Sequence, residues 1–208
     1  PPDQQGVEKI VAENGVSLPD AAWEMTYAPY DQPTYEATLA RIRSNDIVLD
    51  IGAGDLRLSR QMAVIARKVY AVEIDARVLE QAYFARDPLP ANLIPIRADA
   101  RTWDFPSDVT AAVLLMRHCT CFSLYAEKLR TAGATRLITN ARWRMSVEEV
   151  DLRVRRQSFA EADMGWYACR CGGTGFKEGP VEYWSMELDG RTSEVSDCPH
   201  CMENTMSF

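Results

Sequence analysis

Four cysteines in the C-terminal part of the chain have the type and spacing of metal ligands. Cys169 and Cys171 are separated by one residue, Cys198 and Cys201 by two, and 26 residues lie between the pairs. Two close pairs of thiolates meet the tetrahedral demand of structural zinc, whereas disulfides are rare in a reducing cytoplasm. We therefore predict a structural Zn²⁺ held by these four cysteines, with His200 as a substitute for one of them. A disulfide pair or free thiols are the alternatives.

A glycine turn in the segment Ile47-Val-Leu-Asp-Ile-Gly-Ala-Gly-Asp-Leu56 is the second feature that could do chemistry. Glycines let the backbone approach a nucleotide closely. A P-loop would continue with Gly-Lys-Ser/Thr, which is absent, and a dinucleotide turn would prefer a third small residue where Arg57 stands. Asp55 would also place a carboxylate beside a pyrophosphate bound at the helix N-terminus. The turn therefore favours a cationic ligand without phosphate.

The sequence around this turn resembles the first motif of class I S-adenosylmethionine-dependent methyltransferases, with Leu56 where the family has a third glycine. Glu73, in VYAVEID, is similar to the family's acid that binds both ribose hydroxyls, and Asp99, in IRADA, to its acid near adenine. The resemblance implies a cofactor pocket formed by Asp50, Gly52, Gly54, Asp55, Glu73 and Asp99. A nicotinamide-dependent oxidoreductase is an alternative, because Glu73 would also suit that ribose.

The methyl acceptor should lie at the end of the fourth strand, which reads Met116-Arg-His-Cys-Thr-Cys-Phe122. His118 is the candidate general base, because histidine titrates near neutral pH; a histidine that only hydrogen-bonds the loop is the alternative. Cys119 and Cys121 lack the proline-cysteine signature of pyrimidine-carbon methylation. The Asn/Asp-Pro-Pro-aromatic tetrapeptide typical of amino-group methylation on nucleobases is also absent. The acceptor is therefore left open among RNA, a protein and a small molecule.

Basic residues are concentrated in one part of an otherwise acidic chain. The net charge is -7, which argues against coating of nucleic acid in bulk, but residues 127–156 hold eight basic and four acidic side chains. This stretch is either a solvated helix face or a surface for an anionic substrate. Within it, Asn140-Ala-Arg-Trp-Arg144 could hold a carboxylate, a phosphate or a stacked base, or could be an exposed helix start with a buried tryptophan.

These residues require a scaffold of alternating strands and helices. Apolar runs predict strands at 47–52, 69–74, 93–98, 111–116 and 136–140, and helices at 55–66, 76–85 and 123–132. The alternation is typical of a doubly wound, mostly parallel α/β sheet. The capping-box pattern Ser146-Val-Glu-Glu149 predicts a helix over 146–162. Beyond it we expect short antiparallel strands, with a hairpin formed by 181–188 and the residues after the Asp189-Gly190 turn.

The predicted organisation has three parts: an N-terminal cap or lid (1–32), an S-adenosylmethionine-binding domain (33–163) and a cysteine-rich element (164–208) that completes or decorates the sheet. No apolar run approaches the roughly 20 residues of a membrane span, and the first residues lack signal-peptide features. We expect a cytoplasmic methyltransferase with structural zinc; the basic stretch and cysteine element favour RNA or a translation-associated protein as acceptor. A non-catalytic zinc-ribbon binding module on a cofactor-binding scaffold is the alternative.

Overall fold

The computed structural model describes residues 30–83, 88–117, 119–143, 146–185, 187 and 190–201. The predicted cap therefore lies almost wholly outside the described residues, and so do the candidate base His118 and Asp189 of the predicted turn. Residues 33–208 form one compact unit, and residues 1–32 form another. The predicted boundary between residues 163 and 164 stays a prediction.

The main sheet has six strands in the order β3-β2-β1-β4-β5-β6, of which the first five are parallel and β6 is antiparallel to β5. The elements are α1 Gln32–Leu39, β1 Ile47–Ile51, α2 Arg57–Ile65, β2 Lys68–Glu73, α3 Ala76–Tyr83, β3 Leu93–Arg97, β4 Ala111–Leu114, α4 Phe122–Thr131, β5 Arg136–Thr139 and β6 Glu148–Asp151. This architecture confirms the predicted α/β class with a mostly parallel sheet.

The three central strands of this sheet are buried at every position. Strands β1 and β4 are almost wholly apolar, β5 has the apolar pair Leu137-Ile138 at its centre, and each residue of the three strands is shielded from solvent. Parallel strands that are covered on both faces consist mainly of apolar residues, whereas a strand exposed on one face would alternate apolar and polar residues. Their burial explains why the sequence predicted these elements to within a few residues.

The predicted helix over 146–162 is wrong, because this segment begins with strand β6. Val150 and Leu152 are buried while Glu149 and Asp151 are exposed, a period of two that fits a strand. Pairing with β5 also places Glu149 beside Arg136, whose Nη1 donates to Glu149 Oε2 at 2.7 Å. Long-range pairing therefore overrides the local capping pattern.

The cysteine-rich part forms a separate three-stranded sheet in the order β8-β7-β9, so it decorates the main sheet and does not complete it. Its strands are β7 Gly165–Cys169, β8 Thr174–Lys177 and β9 Thr192–Val195. β7 and β8 pair antiparallel, as expected, but β9 runs parallel to β7. The predicted hairpin is also wrong, because Val181–Tyr183 is a 3-10 helix and β9 pairs with β7 instead.

Across the described parts of the chain, no helix is both long and apolar enough to cross a bilayer.

Candidate active site and metal centre

The predicted cofactor residues gather at one edge of the main sheet. Asp50 lies in β1, Glu73 ends β2 and Asp99 follows β3. Because these strands are parallel and adjacent, their carboxyl ends open at the same edge. The structure thus brings the three acids and the glycine turn to the position where α/β sheets bind ligands.

Glu73 is bonded directly to the glycine turn. Its Oε2 accepts from the backbone N–H of Gly54 at 2.9 Å, and its Oε1 accepts from the N–H groups of Ile74 and Asp75 at 2.8 and 2.9 Å. These bonds fix the carboxylate between the turn and the end of β2. Each oxygen retains acceptor capacity, so the carboxylate can still accept hydrogen bonds from a diol.

Asp50 is a buried acid beneath the turn and does not face solvent. It is 4% exposed, and the hydroxyl of Ser59 in α2 donates to its Oδ2 at 2.5 Å. Burial raises the pKa of Asp50 to about 7, the Ser59 bond lowers it in part, and the negative charge of Glu73 adds to the rise. Asp50 therefore connects β1 to the helix after the turn, and its charge is sensitive to a cation entering the site.

The turn has left-handed backbone at three positions: Gly52 (φ 74°), Gly54 (φ 55°) and Leu56 (φ 63°). Leu56 thus keeps the conformation that a glycine would adopt most readily, while its side chain is fully buried. At Gly52 an added Cβ would lie 2.5 Å from Met116 Cε, so a side chain does not fit there without displacing Met116. The missing third glycine is explained by burial of leucine against the core.

Two acids of the predicted pocket already have arginine partners. Asp55 Oδ2 accepts from Arg57 Nη2 at 3.0 Å, so the carboxylate at the helix start is largely neutralised. Its repulsion of a phosphate is therefore weaker than the sequence suggested. Asp99 Oδ2 accepts from Arg101 Nη2 at 2.7 Å, and this bond lowers the pKa of Asp99. A ligand at Asp99 has to share that carboxylate with Arg101.

The loop after β4 holds two cysteines, of which Cys119 is not activated. Burial raises the pKa of Cys119, which keeps its thiol protonated and a poor nucleophile. Cys121 precedes α4 and packs with Cys119 against the main core. This environment supports the sequence argument against cysteine-based methylation.

Asn140, directly after β5, is a buried amide that the sequence analysis did not single out. It is 2% exposed, and neither Oδ1 nor Nδ2 has a hydrogen-bond partner among the described residues. An unpaired buried amide costs free energy, so each such group requires an explanation. The available sequence signal was a polar residue at the carboxyl end of an apolar strand, on the edge that also holds Asp50.

Arg142 is not a substrate-facing arginine, so both sequence-based interpretations of this segment are wrong for it. Its side chain is 2% exposed and forms ion pairs at 2.7 Å with Glu148 in β6 and Glu194 in β9, and Glu194 also pairs with Arg156. Burial alone would lower the pKa of Arg142, but the bonds to Glu148 and Glu194 outweigh it and raise the pKa. We call these four residues the Arg142 clamp, which joins the two sheets.

The four predicted zinc ligands converge on one point. The sulfur–sulfur distances are 3.6 Å for Cys169–Cys201, 3.7 Å for Cys171–Cys198 and 3.7 Å for Cys198–Cys201. Four sulfurs placed tetrahedrally around zinc at about 2.3 Å are about 3.8 Å apart, whereas disulfide sulfurs are about 2.05 Å apart. The geometry therefore fits a closed four-thiolate site.

The peptide around the cluster is shaped to enclose it. The backbone N–H of Gly173 donates to Cys171 Sγ at 3.3 Å, and a Cβ at Gly173 would lie 3.3 Å from that sulfur. Cys169 and Cys198 are fully buried. Among the described residues only these four cysteines form such a cluster, and His200 is exposed and outside it. The substitution of His200 for a cysteine is therefore not supported.

Comparison with known proteins identifies the family to which the α/β part of the chain is similar. The family profile described as ribosomal RNA adenine dimethylase matches residues 36–139, which is half of the chain. The chain belongs to the ribosomal RNA adenine dimethylase family. The matched residues contain the glycine turn, Glu73 and Asp99 but end before Asn140 and the cysteine cluster. Membership confirms the resemblance to class I S-adenosylmethionine-dependent methyltransferases.

Curated relatives match shorter segments. A probable ribosomal RNA small subunit methyltransferase A of Methanopyrus kandleri is 40% identical over 74 residues, which are 36% of this chain and 26% of the relative. The protein of the same name from Methanococcus maripaludis is 49% identical over 39 residues, 19% of this chain and 15% of the relative. The chain thus matches about a quarter or less of these relatives' length.

Among solved structures, a dimethyladenosine transferase from Plasmodium falciparum is similar at 23% identity with a TM-score of 0.45. The likeness covers 52% of this chain and 41% of that one.

Proposed function

We propose that the protein is an S-adenosylmethionine-dependent methyltransferase that acts on RNA. The observation that carries this proposal is the bonding of Glu73 to the glycine turn at the carboxyl edge of a parallel sheet, in a ribosomal RNA adenine dimethylase family member. Both matched archaeal relatives are named as small-subunit ribosomal RNA methyltransferases. We therefore take a ribosomal RNA as the first acceptor to test.

Residues of the chain fit the cofactor by charge and shape. The left-handed Gly52 and Gly54 let the backbone approach a ligand, Glu73 has acceptor capacity for the ribose hydroxyls, and Asp99 lies at the end of the next strand. When bound, S-adenosylmethionine supplies the methyl group on a sulfonium. The Glu73 carboxylate lies at this edge, where a negative charge suits a cationic cofactor and also suits product release after the positive charge is lost.

The acceptor side of the site differs from that of enzymes that methylate base amino groups, because the Asn/Asp-Pro-Pro-aromatic tetrapeptide is absent from the sequence after β4. Asn140 directly follows the adjacent strand β5, and neither of its amide atoms has a partner in the described part of the chain. An amide offers one donor and one acceptor face, the pattern that recognises an adenine edge. We assign Asn140 to hold the acceptor base; since it is buried in the ligand-free chain, the entering base has to displace the side chains that cover it.

The cysteine cluster is proposed to hold Zn²⁺ in a structural role, because a closed four-thiolate site leaves no open position for catalysis. The support is the near-tetrahedral sulfur spacing. Reduced thiols of this kind persist in a cytoplasm, where we place the protein. Elemental analysis of metal-replete protein is expected to give about one zinc per chain. A zinc content below about half an equivalent per chain would contradict the assignment. So would an unchanged zinc content after substitution of Cys198 by Ser.

The test of the enzyme is cofactor binding followed by transfer of label. S-adenosylhomocysteine should raise the melting temperature, and labelled S-adenosylmethionine should label RNA in a mixture with small-subunit ribosomal RNA. Glu73→Ala is expected to weaken cofactor binding about 10–100-fold, because it removes charge-assisted hydrogen bonds. Glu80→Ala, at an exposed site in α3, is the control for loss of one carboxylate and should bind normally.

A second candidate function is a non-catalytic RNA- or protein-binding module on a cofactor-binding scaffold, which the missing tetrapeptide after β4 favours. Tight binding of S-adenosylhomocysteine with no transfer to RNA, protein or small molecules of a cell extract would support it. Stabilisation by NAD in place of S-adenosylhomocysteine would contradict both candidates.

A further inference from the structure

A cationic cavity lies at the edge of the main sheet opposite to the cofactor residues. It is an open depression of about 600 Å³, lined by Arg130, Arg153, Arg156 and Arg170 together with uncharged residues: Gly133, Ala134, Thr135, Leu152, Val154 and Ser196. Among the described residues, no acidic and no aromatic side chain lines it. Thr135 precedes β5 and Arg153 follows the antiparallel β6, which places the cavity at the amino end of the parallel strands. We call it the arginine groove.

The four arginines come from three separate parts of the chain. Arg130 lies in the last turn of α4, Arg153 and Arg156 follow β6, and Arg170 follows β7. Most of the basic residues in 127–156 therefore fall into two groups. Arg136 and Arg142 are buried in ion pairs, while Arg130, Arg153 and Arg156 line the groove. Tertiary structure adds Arg170 from the small sheet.

The carboxylates that accompany these arginines lie beside the groove and not in its wall. Arg130 pairs with Glu127, Arg153 with Asp151 at 3.1 Å and Arg156 with Glu194 at 3.1 Å. The Arg153 pair is exposed on both sides, so it contributes little and leaves the guanidinium able to bind another anion. Arg170 is exposed, and no ion pair involves it within the described residues.

Two guanidinium groups of the groove also have an unused donor. The Nε atoms of Arg130 and Arg156 are buried and have no hydrogen-bond partner among the described residues. Arginine guanidinium groups bind phosphate oxygens in a bidentate manner, which makes phosphate the acceptor that suits this wall.

The lining also indicates which part of a nucleic acid would bind. Without aromatic side chains the groove has no surface on which bases stack, so it is suited to the sugar-phosphate backbone. Strand β1 has five residues, and at about 3.3 Å per residue the groove lies roughly 17 Å from the cofactor edge. A ligand that reaches both must be a polymer rather than a mononucleotide.

We propose that the arginine groove binds the phosphate backbone of the RNA substrate at a distance from the methylated nucleotide. This proposal rests on the proposed function, since it takes RNA as the substrate. The groove positions the RNA without reading its sequence, and the carboxyl edge of the sheet selects the acceptor base.

The experiment compares RNA binding by the full chain and by the double variant R153Q/R170Q, using a transcript of the small-subunit ribosomal RNA at several salt concentrations. Both side chains are exposed, so folding should be preserved. We expect the variant to bind about 10-fold more weakly and the slope of log affinity against log salt to fall by about 1–2. The charge-matched control is R191Q combined with R77Q, both exposed and outside the groove, which should bind with the parent's affinity.

Three results would overturn the proposal: equal binding by R153Q/R170Q and the control, no binding of the transcript by the parent, or binding of inorganic phosphate alone as tightly as the transcript. The last result would assign the groove to a free anion. Cofactor binding separates this proposal from the proposed function, because S-adenosylhomocysteine should stabilise R153Q/R170Q as well as the parent. If R153Q/R170Q binds RNA more weakly than the parent but the parent transfers no methyl group, the groove proposal stands and the proposed enzyme activity is rejected.

Discussion

Single residues at the carboxyl edge combine burial with unusual backbone or charge, and Leu56 shows this most clearly. It has φ 63° at the start of α2, and its side chain is fully buried. A left-handed conformation costs a non-glycine residue about 1 kcal/mol, while burying leucine contributes about 2–3 kcal/mol. Leucine in place of the expected glycine therefore stabilises the fold despite the strained backbone.

This balance predicts opposite effects of glycine at two neighbouring leucines. At Leu56, L56G should be more stable than L56A by about 1 kcal/mol, because glycine removes the strain and both lose the same side chain. At Leu58, buried within α2, L58G should be less stable than L58A by about 1 kcal/mol. Urea unfolding of the four variants measures both differences, and the same sign at both sites would contradict the role of backbone strain.

Asp50 gives a pH-dependent prediction. Its pKa in the folded chain, about 7, is above the ordinary value of 3.8, so the folded state binds the proton more tightly. Ionisation of Asp50 therefore lowers the free energy of unfolding as the pH rises from about 4 to about 7. D50N cannot ionise, and its stability relative to the parent should rise over this window by up to about 4 kcal/mol and stay constant above it.

The Asp50 prediction has an internal check in Ser59, whose hydroxyl lowers the pKa of Asp50. S59A should therefore move to higher pH the midpoint of the stability change that ionisation of Asp50 causes. Denaturation curves recorded from about pH 4 to about pH 8 measure the difference, because this range spans the ordinary and the raised pKa of Asp50. A difference between D50N and the parent that does not vary with pH would contradict the raised pKa.

At the scale of elements, the two sheets are joined by charge as well as by packing. The Arg142 clamp links β6 of the main sheet to β9 of the small sheet through carboxylates on both. Buried ion pairs add little compared with apolar residues, but removing one partner leaves an uncompensated charge. The clamp therefore makes the position of the small sheet depend on Glu194.

We expect E194Q to lower the free energy of unfolding by roughly 2–4 kcal/mol, because Arg142 and Arg156 both lose a charged partner. The same substitution at Glu187, E187Q, breaks an exposed pair with Arg191 and should cost at most about 0.5 kcal/mol. Chemical unfolding of both variants at one pH gives the comparison. Equal losses would show that the clamp does not stabilise the docked sheet.

At the scale of the whole molecule, the cysteine cluster replaces a large apolar core in the small sheet. The buried residues of its core cluster are Ala162, Cys169, Val195 and Cys198, and Ala168 of β7 is also buried, which is little apolar material for three strands. Small elements with few core residues usually require a metal or crosslinks to stay folded. The proposed zinc would therefore stabilise both the small sheet and the wall of the arginine groove that Arg170 provides.

Removal of metal should accordingly affect the full chain. Treatment with a zinc chelator is expected to lower the melting temperature by about 6–12 °C, which corresponds to a loss of about 3 kcal/mol for a chain of this size. Added Zn²⁺ should restore it and Mg²⁺ should not, because Mg²⁺ prefers oxygen ligands. An unchanged melting temperature in protein shown to have lost its metal would contradict the structural role.

The sequence alone determined the parallel α/β core and the residue types at its carboxyl edge. Buried parallel strands are continuous apolar runs, and the residues at their ends, such as Glu73 and Asp99, must then meet at one edge. The two cysteine pairs were readable for a similar reason, because ligand spacing within a pair is local.

Only tertiary structure decided the features that depend on contacts between distant parts of the chain. Segment 146–162 has a helix-start pattern but pairs with β5, where burial of Val150 and the ion pair of Glu149 decide its conformation. Arg142 was predicted to lie either at a substrate edge or in an exposed helix start, but it is buried between Glu148 and Glu194, the second of which is 52 residues away. The arginine groove joins side chains from residues 130 to 170. Local sequence patterns contain no information on such pairings, because the free energy that selects them comes from burial and charge compensation in the assembled fold.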